Sequence, residues 1–347
     1  TLLASSAASD VYKRQVNGNM RKTNISVFVP HIGCPQKCSF CNQHAITGYT
    51  KAPTAADVHE AVCKALANTE ARGGYYQYEI AFFGGSFTAI ERKYMIELLE
   101  AAHYYVKNKK VTGIRISTRP DAIDKETLDL LKKYGVTSIE LGAQSMNDAV
   151  LEANFRGHDA QCVRNASHLI KSAGFELGLQ MMTGLYKSTK DRDIETAKEF
   201  VKIKPKTVRI YPTVVLKNTY LGKLYKEKKY HPMSVAKSVD LCAELVEYFE
   251  DHKIDVIRVG LHASKDIREN MYGGCYHECF GEMVASKIMF NKITSYPPGK
   301  YEVFINEKSI SKLLGNKKSN LEELKKAGYE IFISYDNALA PNEVRVG

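Results

Sequence analysis

From Ile25 onward, short β-rich runs alternate with stretches of helical periodicity, and that alternation restricts the fold more than any other property of the chain. Six runs stand out, at 25–31, 78–83, 113–117, 138–141, 176–182 and 207–211. Strands joined through helices pair in parallel, because the crossover carries the chain back to the same end of the sheet. After the second run, Met95, Leu98, Leu99, Ala102 and Val106 recur at i, i+3, i+4, i+7 and i+11, one apolar face of a helix. The next helix is punctuated at both ends: Asp124 caps its first turn, Leu128 and Leu131 face inward, Lys132 and Lys133 suit its carboxyl end, and Gly135 ends it. Helices over 163–170, ending at Gly174, and over 194–201 repeat the logic. The expected fold is α/β, a partial (β/α)6 TIM-like barrel open on one side. Beyond Tyr211 the rhythm changes to a linker rich in Tyr and Lys, a helix near 236–249, a strand at 254–259 and a terminal strand–helix–strand unit from Tyr301. Ser319 with Glu322 has the spacing of a capping box for that last helix, and Gly328 can end it.

In parallel barrels the βα loops converge at the carboxyl ends of the strands, where functional groups gather. The first run leads directly into GCPQKCSFCNQ, in which Cys34, Cys38 and Cys41 are spaced C-x3-C-x2-C. Three thiolates from one loop suit an iron–sulfur cluster with one iron left open to another ligand. The same spacing also suits tetrahedral zinc, with His31 or His44 as a fourth ligand. The second run ends in Gly84-Gly85, where missing side chains let a ligand approach the backbone. The third ends in ISTRPD, with Ser117 pointing to the same end of the barrel. A plain strand end at Pro120, with Arg119 and Asp121 solvated, explains that segment equally. The fourth ends in ELGAQS, and twelve residues past Gln144 stands Arg156, a guanidinium able to hold a carboxylate through two parallel bonds.

The C-x3-C-x2-C loop, with Phe40 just before its last cysteine, resembles the signature of the radical S-adenosylmethionine (SAM) enzymes. The fold that this implies is a partial barrel of the radical SAM type with a C-terminal α/β extension. The resemblance implies that Cys34, Cys38 and Cys41 bind a 4Fe-4S cluster whose fourth iron is chelated by the amino and carboxylate groups of SAM. It also implies that one electron from the reduced cluster cleaves SAM to methionine and a 5'-deoxyadenosyl radical. Phe40 would lie near the adenine, and Gly84-Gly85 would hold the methionyl amino group. Gln144 and Arg156, at the same separation, recur in the oxygen-independent coproporphyrinogen oxidase group and in the radical SAM catalytic subunit of Elongator. In the former the glutamine contacts the SAM ribose and the arginine its carboxylate. Ser117 stands where that group carries a carboxylate-bearing residue, which changes the expected ribose contact. The fuller similarity is to the radical SAM domain of the Elongator subunit, from about residue 24 to about 286, including ISTRPD, ELGAQS, NFRGH, VRIYPTVVLKNTYL, IRVGLH and GGCYHECFGE. Two departures stand out: the Elongator subunit spaces its first two cysteines further apart, and no segment here resembles its acetyltransferase-like domain. The resemblance implies an electron donor such as a flavodoxin or ferredoxin, and tRNA as a candidate substrate. Two alternatives are a radical SAM enzyme acting on a porphyrin or other small metabolite, and a non-catalytic, metal-stabilised RNA-binding protein.

Composition bounds these expectations. At 347 residues and 44% hydrophobic the chain can bury a large core. The expected organisation is a leader at 1–19 that is not part of the natural protein, the barrel at 20–215 and an extension at 216–347. No run approaches the roughly 18 consecutive apolar residues of a membrane span. The eight cysteines, three of them crowded into a metal-type loop, suit a reducing, cytoplasmic compartment. A net charge of +10, from 49 Lys and Arg against 39 Asp and Glu, suits a polyanionic partner. The lysine clusters at 107–110, 223–229 and 317–318 would serve that partner or equally form solvated faces. Cys275 and Cys279 have a metal-like spacing, but a reading as buried or incidental thiols is preferred. Tyr75, Tyr76 and Tyr78 would stack on bases or pack before the second strand.

Overall fold

In the computed structural model, residues 20–29, 34, 37–42, 46, 51–72, 75–262, 264–315 and 318–347 are described, with the backbone alone at 20–22, 69–72 and 75–76. The 1–19 leader, His31, His44 and Lys317 lie outside the described residues, as do the side chains of Tyr75 and Tyr76. The chain runs β1 (Met20–Val29), α1 (Ala55–Arg72), β2 (Tyr75–Gly84), α2 (Arg92–Lys107), β3 (Gly113–Thr118), α3 (Lys125–Lys133) and β4 (Val136–Gln144). It continues through α4 (Asp148–Ala153), α5 (Ala160–Ser172), β5 (Glu176–Thr183), α6 (Lys190–Ile203), β6 (Thr207–Pro212), β7 (Val214–Leu216), α7 (Tyr220–Lys226), α8 (Val235–Asp251) and β8 (Asp255–Val259). Then come α9 (Lys265–Asn270), β9 (Met271–Gly274), α10 (Phe280–Thr294), β10 (Lys300–Ile305), α11 (Ile310–Leu314), α12 (Ser319–Lys326), β11 (Glu330–Tyr335) and β12 (Val344–Val346).

The main sheet has the order β1-β2-β3-β4-β5-β6-β8, parallel throughout, with β1 and β8 as its edges. It is the expected α/β partial barrel, with one strand more than the six-unit count. The seventh strand comes from beyond residue 215, because α8 carries the chain back to the open edge of β6. Residues that alternate along the strands divide the sheet's two faces. Ile114 and Ile116 of β3, Ile139 and Leu141 of β4, Leu177 and Leu179 of β5, and Val208 and Ile210 of β6 pack in one core with Leu98, Leu99, Leu131, Val163, Phe200 and Phe249 of the surrounding helices. The intervening positions, Arg115, Glu140, Gln180 and Arg209, line the opposite, concave face.

There one carboxylate organises four strands. Glu140 accepts from Arg115 Nη1 at 3.0 Å, from Arg209 Nε and Nη2 at 2.8 and 3.0 Å, and from Gln180 Nε2 at 2.9 Å. Arg115 Nε reaches on to Glu79 of β2 at 2.7 Å. Burial alone would raise the Glu140 carboxyl, but the Arg209 and Arg115 guanidiniums hold it at about 2.

The helix ends show which local signals act. Asp124 accepts from the Thr127 N–H at 2.7 Å, and Gly135 adopts φ 78°. The capping box expected at Ser319 does not form: Lys318, at φ 64°, is the cap and Ser319 is already helical. Asn320 ties the helix start down instead, donating to Ser286 Oγ at 2.9 Å and Leu313 O at 3.1 Å. Around that helix, β11-β10-β12 carry a separate small core that includes Met289, Ile293, Val303, Leu313 and Leu324. Among the described residues no helix is long and apolar enough to cross a membrane. No disulfide joins any of the eight cysteines.

Candidate functional site

The cysteine loop hangs from the carboxyl end of β1, with Cys34, Cys38 and Cys41 each half-buried. It is fastened between them. Ser39 is fully buried; its Oγ donates to Asn154 Oδ1 at 2.6 Å, its N–H donates to Asn154 O at 3.1 Å, and its carbonyl accepts from the Leu221 N–H at 2.7 Å. Asn154 in turn donates to Val150 O at 2.8 Å and Tyr186 O at 2.9 Å. One buried amide thus links the loop to the ends of α4 and β5, while Leu221 ties it to α7. Phe40 packs, half-buried, with Val215, Leu221, Leu224 and Tyr230.

At the end of β2, Gly84 lies opposite Val29 of β1. Its φ is 114°, and a Cβ there would stand 2.7 Å from the Val29 carbonyl. Only glycine fits. The Gly85 N–H donates to that same carbonyl at 2.7 Å. The next residue, Ser86, is buried; its backbone amide lowers the Cys34 thiol against the effect of burial, and its Oγ accepts from the Arg119 N–H at 3.2 Å.

The end of β4 is irregular. The register against β5 shifts between Leu141 and Gln144, and Gln144 takes the left-handed φ of 67°. Such a bulge re-aims a side chain. Gln144 Oε1 is buried and has no partner among the described residues. A side chain on Gly142 would meet Gln144 Nε2 at 3.1 Å and Arg156 Nη2 at 3.5 Å, so the glycine leaves room for both. Arg156, 5% exposed, donates from Nη1 to Cys38 Sγ at 2.9 Å and from Nη2 to the Gly142 carbonyl, while its Nε has no partner among the described residues. Ser117, on the concave face, accepts from Gln180 Nε2 at 3.5 Å.

Arg119 is not the solvated residue that the sequence allowed, whereas Asp121 is exposed as that reading had it. Arg119 is 5% exposed, grips Asp121 through Nε and Nη2 at 2.8 Å each, and donates from Nη2 to Arg156 O at 2.6 Å. Burial would raise the Asp121 carboxyl, yet the Arg119 fork holds it below the usual carboxylate range. Burial pushes the Cys34 thiol up and Cys38 reinforces that; the Ser86 amide and the Arg119 and Arg156 guanidiniums oppose it. His158 is pushed down to about 4, first by burial and then by the Arg156 charge. Two buried guanidiniums therefore stand beside two thiols; their charge opposes, without overcoming, the burial that raises Cys34, and it suits an anionic ligand.

Comparison with known families places the chain. The profile of the Radical SAM superfamily matches residues 28–201, and that of the Radical_SAM C-terminal domain matches residues 205–289. The chain belongs to the radical SAM superfamily. Enzymes of this superfamily use a 4Fe-4S cluster and SAM, and the residues present suit both: three thiols on one loop, a guanidinium already bonded to one of them, and buried polar atoms awaiting partners. Among the described residues no three His, Cys, Asp or Glu side chains converge as a single ion would require. A cubane takes each thiolate at a different iron and needs no such convergence. Elongator complex protein 3 of Danio rerio is 34% identical over 188 residues, covering 48% of this chain and 34% of that protein. An uncharacterised protein of Methanocaldococcus jannaschii is 28% identical over 236 residues, covering 67% of this chain and 69% of its own. Among solved structures, Elp3 of Methanocaldococcus infernus with an N-terminal deletion superposes with a TM-score of 0.61 at 21% identity, covering 78% of this chain and 63% of that one. The chain spans about a third of the length of the Elongator proteins that it matches.

The candidate site also contains residues to which the sequence patterns gave no role. Ser39 and Ser86 have no spacing signature, and Arg119 and Asn154 stand inside ISTRPD and NFRGH with no role that the motif assigns. The one available signal was position, since each follows or ends an element that delivers a motif residue. Elsewhere Cys275 is buried, with its thiol on Met233 O at 3.0 Å, whereas Cys279 is exposed at the start of α10. Tyr78 packs against the core and donates to Ala65 O at 3.3 Å.

Proposed function

We propose that this radical SAM enzyme modifies tRNA, with Cys34, Cys38 and Cys41 as the cluster ligands and with SAM held by Phe40, Gly84, Gly85, Ser117, Gln144 and Arg156. The observation that carries the site assignment is the Arg156 guanidinium, buried, bonded to Cys38 Sγ at 2.9 Å and retaining an unpartnered Nε beside Gln144. When bound, the cluster supplies one electron to SAM, whose carbon–sulfur bond breaks to leave methionine and a 5'-deoxyadenosyl radical that takes hydrogen from the substrate. The chain's own part is orientation. Arg156 offers N–H donors and positive charge to a carboxylate, and the Gly84-Gly85 backbone offers peptide groups without a side chain in the way. Gln144 presents an acceptor that the left-handed turn aims out of the β4 ladder. His158, with its pKa near 4, stays neutral at physiological pH and adds no charge beside Arg156. A flavodoxin- or ferredoxin-like protein in the cytoplasm is the proposed electron source.

The tRNA assignment rests on the similarity to Elongator complex protein 3 and on the net charge of +10. Its test is 5'-deoxyadenosine formation by the anaerobically reconstituted protein with and without bulk tRNA. Stimulation by tRNA is expected. Stimulation by a porphyrin or small metabolite instead, or RNA binding without SAM turnover, would replace this assignment with one of the alternatives.

A further inference from the structure

Phe155 lies between Asn154, which fastens the cysteine loop, and Arg156, which reaches Cys38. It ends α4: its N–H donates to Glu152 O at 3.0 Å and the Arg156 N–H to Leu151 O at 3.0 Å, and φ at Phe155 is 56°. That left-handed helix-terminating position normally carries glycine, and a bulky side chain there is strained. Burial does not compensate, because Phe155 is 42% exposed. Strain retained on an exposed ring points to something that the ring touches. Its neighbour is Tyr220, also 42% exposed, with ring centroids 4.8 Å apart and planes inclined at 52°. Tyr220 opens α7 one residue before the Leu221 N–H that holds Ser39, so the backbone ties both rings to the cysteine loop.

Charge around the pair is divided. Between residues 217 and 229 stand five lysines and one glutamate, Glu227, which pairs with Lys229 at 2.8 Å and more distantly with Lys223 at 3.8 Å. Lys226 lies 4.6 Å over the Tyr272 ring. On the other flank, Phe155 borders a groove of about 930 Å³ whose lining carries Asp121, Asp148, Glu152 and Asp159 against one lysine, Lys37. A polyanion at the rings is repelled from that lining and drawn over α7.

We infer that Phe155 and Tyr220 form a stacking platform for an unpaired RNA base at the rim of the cysteine loop, with the adjoining phosphates lying over the lysines of α7. The inference rests on the RNA-substrate proposal and names the surface that holds the RNA. Every base offers a π-face to an aromatic ring, and lysines serve phosphates as point charges. A small planar metabolite would use the rings alone.

The test is fluorescence anisotropy on the reconstituted protein with a labelled RNA stem-loop carrying an unpaired loop, and with a blunt duplex of the same stem. Phe155→Ala and Tyr220→Ala are each expected to raise the stem-loop Kd about tenfold. Phe155→Tyr should bind as wild type does. A Lys223/Lys226/Lys228→Gln variant should flatten the dependence of log Kd on log salt concentration. Melting temperatures serve as the folding check, and Phe155→Gly, which relieves the backbone strain, should melt no lower than wild type while binding as poorly as Phe155→Ala. If wild type binds the stem-loop and both alanine variants bind it equally well, the platform is overturned and the RNA-substrate proposal stands. If the alanine variants weaken duplex and stem-loop alike, base stacking is overturned. A wild-type protein that ignores the stem-loop overturns both.

Discussion

At the end of β2 one methyl group decides whether two strands can meet. A Cβ on Gly84 would lie 2.7 Å from the Val29 carbonyl, in a backbone conformation that side chains rarely adopt. Gly84→Ala is therefore expected to destabilise the fold by about 1–3 kcal/mol, read as a lower urea midpoint with an unchanged slope; an unaltered midpoint would show that the strands yield. Gly84, Gln144 and Arg156 were legible as residue types because their spacing is a motif. Their conformations were not. Nothing in ELGAQS announces that Gln144 is left-handed, and ISTRPD left open a solvated Arg119. Burial of that arginine depends on Asp121 folding back onto it and on the carbonyl of Arg156, 37 residues further along.

At the scale of elements, the described part of the cysteine loop is held by α4 and α7 as well as by its own Cys41 N–H to Cys38 O bond. Ser39→Ala would leave Asn154 Oδ1 buried without a donor, a cost of about 1–3 kcal/mol. The expected outcome is faster loss of iron to a chelator from the reconstituted protein, measured by absorbance, with the melting temperature lowered only slightly. Iron retention equal to wild type would contradict the anchoring role. Helices and strands were largely visible in periodicity and caps, as with Asp124 and Gly135. The tie between Ser39 and Asn154 spans 115 positions and leaves no periodic trace. Ser319 failed as a cap because the chain enters α12 through Lys318 and tertiary bonds from Asn320 fix the helix start.

For the whole molecule, the concave face of the sheet depends on Glu140. Glu140→Gln leaves Arg115 and Arg209 buried without their shared carboxylate, and a loss of about 3–5 kcal/mol is expected at neutral pH. The pH dependence follows from the same contact. The folded carboxyl titrates near 2, below its ordinary 4.5, so its contribution is complete above pH 4.5 and is lost as pH falls toward 2. Urea unfolding at neutral and acid pH should show the wild type converging on Glu140→Gln as pH drops; parallel curves would contradict this. The parallel α/β architecture was readable because alternating strands and helices admit few topologies. The seventh strand's place in the sheet was not, because β7 and α7 interrupt the alternation before α8 returns the chain to β6.

The proposal that Cys34, Cys38 and Cys41 hold a cluster that cleaves SAM is open to direct test. Its most direct measurement is 5'-deoxyadenosine formation by anaerobically reconstituted wild type and Cys38→Ala, with iron content determined on the same samples. Wild type is expected to turn over SAM, and Cys38→Ala to lose both iron and turnover. Full SAM cleavage by a correctly folded Cys38→Ala protein would contradict the proposal.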